Sequence, residues 1–598
     1  MKYFQKILSS IIKAFKDDKF LLPVFILSVV FIILSSILPA FQVKQDFLKF
    51  FSPDENANYV FTKLYQETDQ LTFFEKYNLI AQDIIRPRSY FSYQGIIKPV
   101  SFLGMTLLYG NLAKVFGSGI IPFLTPLFAG IGLIFYYLLI KLLFGSKNAF
   151  ISFLLFFSFP VLIYYSARSM FHNVLFLSFF IIALYFLTKL IQKKIPSIKT
   201  NQIDKKKYYQ ELFSRDFVFA LLTGLFLGLT IAVRTSELVW LIPAGLLFFL
   251  FNIKKFNWWR LAIIFSFLFL ALLPVFYNNQ LLYGSPFYGG YNEMNRSIEN
   301  IGQASGSLFK SFFSGHLSEV GDLIKSIFNT IFYFGFYPLQ SFFMFFKYCT
   351  EMFWYLFYPF VFGLVYLIIY DRSTFKKVWT YGLSWLVLSL ILILYYGSWK
   401  FVDNPDPNSF TIGNSYTRYW LPIYISLFPF VSIFILKIKN IFFWIKKIRI
   451  KKIVSNAFSV SLIILIMFLS LRFVYAGSEE GLKHYFSKSR IAKIEVEQVI
   501  SLTEDRSIII TEYHDKFLFP ERKVIVGRFD DDNMNKNYYR LASKIPLYYY
   551  NFTLPEKDIK YLNERRLKDF NLRIELVKSI NDAFSLYQLK ALSYCPIN

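Results

Sequence analysis

The sequence predicts a polytopic α-helical membrane protein that carries a small C-terminal α/β domain. Of its 598 residues, 55% are hydrophobic and 21% are aromatic, and the apolar residues occur in long blocks. A block of about 20 apolar residues is long enough to cross a bilayer, and a helix satisfies its backbone polar groups within the lipid. From residue 477 onward the composition becomes charged and mixed, which is typical of a domain outside the membrane.

About eleven of these blocks are predicted to be transmembrane helices. The first, residues 20–41, is too long for the apolar region of a signal peptide and lacks a clear cleavage site, so we expect it to remain as an anchor. The later spans are predicted near residues 119–144, 148–166, 170–191, 216–233, 238–252, 260–277, 352–370, 378–396, 419–436 and 454–475.

The net charge of +26 lies mostly in short loops and at the N-terminus. Lysine and arginine dominate residues 193–215 and 437–452, and the second of these segments contains no acid. With eleven spans, both segments and the N-terminus lie on one side, which the positive-inside rule assigns to the cytoplasm. The basic excess therefore orients the chain in the plasma membrane and does not indicate nucleic-acid binding.

This orientation places the polar regions of the chain on the extracytoplasmic side. Residues 1–476 are predicted to form the transmembrane domain, whose outer loops include 43–118 and 278–351, and residues 477–598 form the α/β domain. Within that domain a helix is predicted over 490–502, and strands are predicted over 507–513, 523–529 and 583–589.

The first outer loop carries two predicted helices. The stretch "NANYVFTKLYQETD" predicts an amphipathic helix after an acidic pair, Asp54 and Glu55. The stretch "KPVSFLGMTLLYGNLAKVFG", residues 98–117, is apolar but short of a span, so we expect a helix lying at the membrane interface.

Several classes of protein lack their sequence signals here. The two cysteines, Cys349 and Cys595, make no disulfide framework; isolated thiols are the favoured interpretation, and a single disulfide on the outer side is the alternative. The sequence contains no zinc-ligand spacing, no P-loop and no GxGxxG followed by a helix. The predicted cytoplasmic loops are too short for a nucleotide-binding domain, which argues against an ATP-driven pump carried by this chain alone.

Charged side chains at membrane depth or at the ends of spans are costly, and function is the default hypothesis for them. If the outer ends of several spans converge, carboxylates and guanidinium groups would surround one external cavity. Guanidinium holds phosphate well because its planar donors match two oxygens at once. A transfer from a phosphate-linked donor needs such cations and a base for the acceptor proton. The candidates are Asp54, Glu55, Arg86, Arg88, Lys98, Arg168, His172, Arg234, Glu237 and Arg418.

For any one of the basic residues the alternative remains that it snorkels to the headgroups or pairs with a neighbour. His172 is interpreted equally well as a polar cap on a helix end. Tyr288 and Tyr291 are loop aromatics that could stack on a sugar, although packing is the commoner role of such side chains. Tyr419, in "YTRYWLPIY", is a further candidate for contact with the substrate.

Four motifs carry a resemblance to a known class. "SPDENANYV" followed by "KPVSFLGMTLLYGNLAKVFG" resembles the first external loop of GT-C glycosyltransferases, which include the family 39 protein O-mannosyltransferases and the aminoarabinose transferase of lipid A. "SFPVLIYYSARSMFHNVLFLSFF", "YNNQLLYGSPFYGGYN" and "TRYWLPIY" continue it in order over roughly residues 20–440. The sequence departs from the common pattern at Tyr59, one residue late, and at Val100, where the class has a second proline.

The resemblance implies that Asp54 is the catalytic carboxylate, with Glu55 supporting it. It also implies that Arg86 or Arg88, Arg234 and Arg418 hold the donor phosphate, for which Lys98 and Arg168 are further candidates by their position at the outer face. Some members of the class need a divalent cation and others do not, so the sequence leaves a metal requirement open.

The function predicted is transfer of a hexosyl or pentosyl group from a polyprenyl-phosphate donor to a hydroxyl of a glycan, lipid or protein in the cell envelope. The C-terminal domain is expected to bind or position the acceptor. Three alternatives remain. A transporter or flippase of lipid-linked glycans predicts discontinuous helices and repeats. A glycan ligase predicts a large central external loop. A non-enzymatic scaffold would leave the external charges unexplained.

Overall fold

The computed structural model describes residues 16–192, 215–300, 325–326, 328–401, 403, 410–438, 447–477 and 480–592. Much of the two predicted basic loops, part of the loop 278–351, and Cys595 lie outside these residues. The chain divides into two compact units. The helical unit comprises Met1–Ile37, Phe123–Tyr277 and Glu293–Lys483, and the mixed unit comprises Leu38–Pro122, Asn278–Asn292 and His484–Asn598.

Helices dominate the described chain, as expected for a polytopic membrane protein. They are α1 (Leu21–Ser35), α2 (Ile37–Lys44), α3 (Pro53–Thr68), α4 (Leu103–Phe116), α5 (Ile121–Phe144), α6 (Ser146–Phe157), α7 (Pro160–Arg168), α8 (His172–Gln192), α9 (Arg215–Val233), α10 (Leu238–Asn252), α11 (Trp258–Tyr283), α12 (Pro338–Phe345), α13 (Trp354–Tyr370), α14 (Arg372–Gly397), α15 (Ser415–Tyr419), α16 (Leu421–Lys437), α17 (Ile448–Ala476), α18 (Leu482–Ser501), α19 (Asp515–Leu518), α20 (Asp532–Ala542) and α21 (Glu556–Tyr561).

The number of candidate spans is lower than the eleven predicted. In the described residues, eight helices are long and apolar enough to cross a membrane, and two bent pairs raise the number to ten at most. The predicted span 419–436 falls on α16, which has 17 residues and is therefore only about 26 Å long at 1.5 Å per residue. The chain is an integral membrane protein with fewer full-length spans than its apolar blocks suggest.

The predicted span 148–166 is broken rather than continuous, and a second bend lies just before the predicted span 352–370. Helices α6 and α7 meet at an angle of 52°, and the segment Pro338–Glu351, which ends in a π-helical turn over Phe346–Glu351, meets α13 at 98°. Pro160 begins α7, and a proline at this position has no N–H with which to continue the preceding helix. The apolar pattern alone does not reveal these bends.

Helices α9 and α11 approach each other through glycine. A Cβ atom added at Gly224 would lie against the backbone carbonyl oxygen of Ile264, and one added at Gly228 would lie 2.5 Å from that of Leu268. The spacing of the two glycines is the GxxxG pattern, which lets the backbones of membrane helices pack closely. This contact fixes two neighbouring helices of the helical unit.

We expect Gly224→Ala to lower the free energy of unfolding by about 1–3 kcal/mol, because the added methyl must push two backbones apart. Gly245→Ala is the matched control, since nothing lies within 4 Å of a Cβ atom at that position. The midpoint of thermal unfolding in detergent measures both variants. Equal midpoints would contradict the close approach of α9 to α11.

The mixed unit contains the α/β domain predicted at the C-terminus. Its five strands are β4 (Ile508–Ile510), β5 (Lys523–Ile525), β6 (Leu547–Phe552), β7 (Leu572–Ser579) and β8 (Phe584–Ala591). They pair in the order β5-β4-β6-β8-β7, with β5, β4 and β6 parallel and the other two antiparallel. The three predicted strands are confirmed in part of their length, and β6 and β7 were not predicted.

The same unit includes the first outer loop. Three short strands, β1 (Phe73–Phe74), β2 (Tyr90–Tyr93) and β3 (Ile96–Pro99), form an antiparallel sheet in the order β1-β3-β2. The amphipathic helix predicted after the acidic pair is α3. The helix predicted over 98–117 begins only at Leu103, because Ile96–Pro99 forms a strand. One face of α4 packs on α3, where a Cβ atom at Gly110 would meet the ring of Tyr65.

The core of the mixed unit joins the loop to the C-terminal sheet. Ala81 and Ile85 are buried in one cluster with Ile508, Ile510 and other residues of the sheet. Phe47 is buried in a second cluster with Val499 and Leu586. Ile85 also forms an isolated bridge with Ile525 of β5. Segments more than 400 residues apart in the sequence are therefore buried together in two hydrophobic clusters.

Candidate active site

Asp54 lies in the first turn of α3, where the helix dipole favours a negative charge. The preceding backbone begins the helix with Ser52 as N-cap and Pro53 in the first turn, a position at which proline is favoured. Asp54 is partly exposed, and its Oδ1 accepts a hydrogen bond of 2.5 Å from the hydroxyl of Ser89. The carboxylate implied as catalytic is therefore held by one hydroxyl.

Glu55 has a structural role that the acidic pair did not suggest. Its Oε2 accepts a hydrogen bond of 3.2 Å from the backbone N–H of Ser52, and its side chain is buried at the start of α3. With the reciprocal contact from the Ser52 side chain, this arrangement is a capping box, whose signature is Ser followed three residues later by Glu. The support of Asp54 by Glu55 stays a prediction.

Arg88 pairs with Asp515 of the C-terminal domain. Its Nη2 lies 2.5 Å from Asp515 Oδ1, and its backbone N–H donates to Oδ2 at 2.9 Å. Arg86 instead donates to the backbone carbonyl of Tyr90, and burial lowers the pKa of its guanidinium. Both residues thus have contacts within the mixed unit that compete with the predicted binding of a donor phosphate.

Lys98 lies beside a cavity of 350 Å³ in the mixed unit. Its Nζ donates to the carbonyl of Leu282 at 2.6 Å and lies 4.9 Å from the centre of the Tyr283 ring. Burial lowers the pKa of this amine. The cavity is also lined by Asp69 and Asn278, so the amine of Lys98 adjoins a space with both polar and apolar walls.

The two loop tyrosines also lie in the mixed unit. Tyr291 packs against Phe102 with ring centres 5.7 Å apart, and the backbone N–H of Tyr288 donates to the carbonyl of Ser285 in a turn. Both tyrosines are partly exposed. Their contact with a sugar stays a prediction.

Three of the predicted arginines come together in the helical unit. Arg168, Arg234 and Arg418 are 9%, 8% and 9% exposed. Two of them contact the ring of Phe171, with the guanidinium carbon of Arg168 at 4.8 Å and that of Arg418 at 4.4 Å from its centre. The cluster is built from helix ends, because Arg168 ends α7 and Arg418 lies in the short helix α15.

Tyr419 links the third arginine to this pair. The guanidinium carbon of Arg234 lies 4.3 Å from the centre of the Tyr419 ring, and that of Arg418 lies 5.2 Å from it. The ring of Tyr396 stacks on Tyr419 at 4.4 Å and 17°. Phe171 and Tyr396 were not predicted, although alternating arginines and aromatic rings are a recognised cation–π arrangement.

Glu237 is the carboxylate paired with Arg234. Its Oε1 lies 2.7 Å from Arg234 Nε and accepts a hydrogen bond of 2.7 Å from the Tyr396 hydroxyl. The indole of Trp240 donates to its other oxygen. His172 begins α8 and is buried. Arg234 and Glu237 therefore form a buried, hydrogen-bonded ion pair. Pairing with a neighbour is the alternative role that the sequence left open for each basic residue.

We expect Glu237→Gln to destabilise the protein by about 3–5 kcal/mol, because it leaves the buried charge of Arg234 without its ion-pair partner. The double variant Glu237→Gln/Arg234→Gln should recover much of that loss, since it removes both charges. Thermal unfolding of the purified variants measures the difference. If the double variant were less stable than the single one, the pairing would not explain the effect.

The candidate residues therefore fall into two groups. Arg168, His172, Arg234, Glu237, Arg418 and Tyr419 belong to the helical unit, and Asp54, Glu55, Arg86, Arg88, Lys98, Tyr288 and Tyr291 belong to the mixed unit. Among the described residues, no group of three or more His, Cys, Asp or Glu side chains is placed to hold a metal ion. Cys349 is a free, buried thiol.

No family model matches the sequence, and no curated protein matches it. Solved structures are similar in fold. ArnT from Cupriavidus metallidurans in the apo state shows 10% identity and a TM-score of 0.49 over 94% of this chain and 97% of that chain. The oligosaccharyltransferase AglB from Archaeoglobus fulgidus, in complex with an inhibitory peptide and a dolichol-phosphate, shows 11% identity and a TM-score of 0.49 over 92% of this chain and 70% of that chain.

ArnT bound to undecaprenyl phosphate is also similar, with 10% identity and a TM-score of 0.46 over 94% of this chain and 97% of that chain. ArnT and AglB are GT-C glycosyltransferases, the class that the sequence motifs resemble. At 10–11% identity and TM-scores below 0.5, this likeness assigns no reaction, substrate or site residue to the present chain.

Proposed function

We propose that the protein is an integral membrane glycosyltransferase that moves a sugar from a polyprenyl-phosphate donor to an acceptor hydroxyl on the extracytoplasmic face. The observation that carries this proposal is the buried cluster of Arg168, Arg234 and Arg418, joined through Phe171 and Tyr419. Guanidinium groups gathered around shared aromatic rings in a largely apolar unit favour an anionic ligand, even though Arg234 is already paired with Glu237. A sugar linked to a polyprenyl phosphate is such a ligand: the phosphodiester carries one negative charge, and the polyprenyl phosphate that leaves can carry two.

The cluster is suited to phosphate because each guanidinium head presents planar donors. Nη2 of Arg418 donates to Ser415 at 2.7 Å, and Nη1 of Arg168 donates to the Tyr164 hydroxyl at 2.9 Å. These contacts orient the two heads around the shared Phe171 ring. Oriented donors in a water-poor site stabilise charge that develops on a leaving phosphate, and Arg is better suited than Lys to hold two oxygens at once.

Asp54 is the residue proposed to take the proton of the acceptor. The acceptor oxygen would form a bond to the anomeric carbon while the bond from that carbon to the phosphate oxygen breaks. The electron pair leaves with the polyprenyl phosphate, and the acceptor proton passes to the carboxylate. A single displacement of this kind inverts the anomeric configuration. The hydrogen bond from Ser89 occupies Oδ1, and Oδ2 would act as the base.

The experiment is to incubate the purified protein in lipid with a panel of labelled polyprenyl-phosphate sugars and candidate acceptors. Label transferred or released by the protein, but not by lipid alone, supports the enzyme. The panel should be run with added divalent cation and with chelator, which tests the metal requirement directly. A donor that binds but is never consumed, with any acceptor and in either condition, contradicts transfer.

A second candidate is a transporter of lipid-linked glycans. Two helix pairs, one bent by 52° and the other by 98°, favour this candidate, since transporters build their binding sites from discontinuous helices. Movement of an intact labelled lipid between the two leaflets of a vesicle, without release of the sugar, supports this candidate. Consumption of the donor by the wild-type protein separates the two functions.

A further inference from the structure

We propose that Asp515 is a positioning residue for Asp54, and that it acts through Arg88 and Ser89. The inference rests on the proposed function, because it assigns the C-terminal domain a part in preparing the catalytic carboxylate. Asp515 is 427 residues from Arg88 in the sequence and belongs to the same compact unit. The domain then contributes to turnover even though none of its own side chains need touch the sugar.

Asp515 holds Arg88 through both side chain and backbone. Its Oδ1 accepts from Arg88 Nη2 at 2.5 Å, its Oδ2 accepts from the Arg88 backbone N–H at 2.9 Å, and Nε lies 3.2 Å from both oxygens. The carboxylate of Asp515 is fully buried. A buried charge is tolerated only where it is paired and hydrogen-bonded, so this contact fixes both the side chain and the main chain of Arg88.

The residue after Arg88 depends on that fixed main chain. Ser89 has a φ of 67°, in the left-handed region that serine seldom adopts. A strained conformation of this kind persists only where the surrounding structure imposes it. Here it directs the hydroxyl to Asp54 Oδ1 at 2.5 Å. The bonds from Asp515 to Arg88 thus impose the conformation in which Ser89 holds the carboxylate.

The next residue of α19, Lys516, holds the helix that carries Asp54, the acceptor of the hydrogen bond from Ser89. The backbone carbonyl of Lys516 accepts from Asn56 Nδ2 at 2.8 Å, and Asn56 lies on α3 two residues after Asp54. Phe517 packs edge-on against Phe51, two residues before the start of α3, with ring centres 5.3 Å apart. Three consecutive residues of α19 therefore fix both partners of the Ser89–Asp54 contact.

The consequence for catalysis is the orientation of one oxygen. A hydrogen bond at Oδ1 selects one rotamer of Asp54 and leaves Oδ2 to take the acceptor proton. Misplacing a catalytic group by about 1 Å can cost about 100-fold in rate. The loss should appear in kcat, since the binding of the donor phosphate is assigned to the arginines of the helical unit.

Asp515→Asn is the direct test, in the full-length protein in lipid, with a polyprenyl-phosphate sugar that the wild type consumes. The amide keeps the shape of the side chain but cannot accept at both positions, so we expect kcat to fall about 100-fold with the KM for the donor within about twofold. Ser89→Ala should give the same loss, and the double variant should be no worse than either single one, because the residues act in series.

Glu75→Gln is the matched control. Glu75 Oε2 lies 2.5 Å from Lys523 Nζ and also joins the loop to the C-terminal sheet, but it contacts neither Ser89 nor Asp54 in the hydrogen bonds described. This variant should keep the wild-type kcat. If Glu75→Gln and Asp515→Asn lowered kcat and thermal stability together, Asp515 would be a structural residue only, and the proposal would be overturned.

Hydrogen–deuterium exchange tests the link from Asp515 to Asp54 without relying on glycosyltransferase activity. Asp515→Asn should speed exchange in the segments 52–58 and 86–92, and Glu75→Gln should not, whether or not the protein turns over a donor. An unchanged exchange rate in Asp515→Asn overturns the positioning role. Faster exchange in a protein whose wild type consumes no donor would reject the glycosyltransferase and keep the link from Asp515 to Asp54. If Asp515→Asn fails to fold, Ser89→Ala and Arg88→Lys provide the same measurements.

Discussion

Asp54→Asn is expected to lower transfer from the lipid-linked donor by about 10²- to 10⁴-fold, the usual contribution of a general base. The amide still accepts the hydrogen bond from Ser89, so the fold and the binding of the donor should remain. The assay follows label from the donor to the acceptor, with thermal unfolding as the check on folding. Turnover at the wild-type rate in this variant would remove Asp54 from the mechanism.

Glu55→Gln is the control for that experiment. Glutamine can replace glutamate in a capping box, because its side-chain oxygen accepts the same bond from the Ser52 N–H. The variant removes the neighbouring charge and keeps the start of α3. We expect it to retain most of the activity. A loss as large as that of Asp54→Asn would show that Glu55 acts on the substrate as the resemblance implies.

Arg418→Ala is expected to lower kcat by about 10²- to 10³-fold, by analogy with the loss of one donor from an anion-stabilising site. Arg418→Lys should lie between this variant and the wild type, since lysine keeps the charge but loses the planar pair of donors. The KM for the donor should rise in both variants if Arg418 also binds the phosphate in the ground state.

Arg260→Lys provides the matched control for the arginine series. Arg260 is a buried arginine of the helical unit whose Nη2 donates to Asp216 at 2.9 Å, well paired and outside the cluster. Its replacement should leave kcat and KM near the wild-type values. If Arg418→Lys behaved like Arg260→Lys, the planar head at position 418 would have no special part in catalysis.

The sequence predicted those features that depend on local pattern. Each of the eleven apolar blocks is helical, although the blocks 20–41 and 148–166 are each divided between two helices. The helix α3 and the strands β4, β5 and β8 were predicted from their own residues. The bend between α6 and α7 was not predicted, because a break in an apolar block changes its composition little. The small sheet β1-β3-β2 was not predicted either, because strands of two to four residues are too short to show the alternation of apolar and polar residues.

The site was predictable in part for the same reason. Ser52 and Glu55 have the spacing of a capping box, so the role of Glu55 at the helix start was readable from the sequence alone. The pairing of Arg88 with Asp515 was not, since 427 residues separate them and no local pattern connects the two. Ser89 likewise gave no signal, because its positive φ is a property of the folded loop.

The shared core of the mixed unit has a consequence for biogenesis. Ile85 is synthesised about 440 residues before Ile525, its partner across the sheet edge, which is roughly 20–90 s of translation at 5–20 residues per second. During that interval most of the apolar helices enter the membrane, while the loop that carries Asp54 lacks the residues of the C-terminal sheet against which it packs. The protein is therefore expected to become active only after the C-terminal sheet has been synthesised, and nascent chains stopped before β8 should be inserted but inactive and open to proteases.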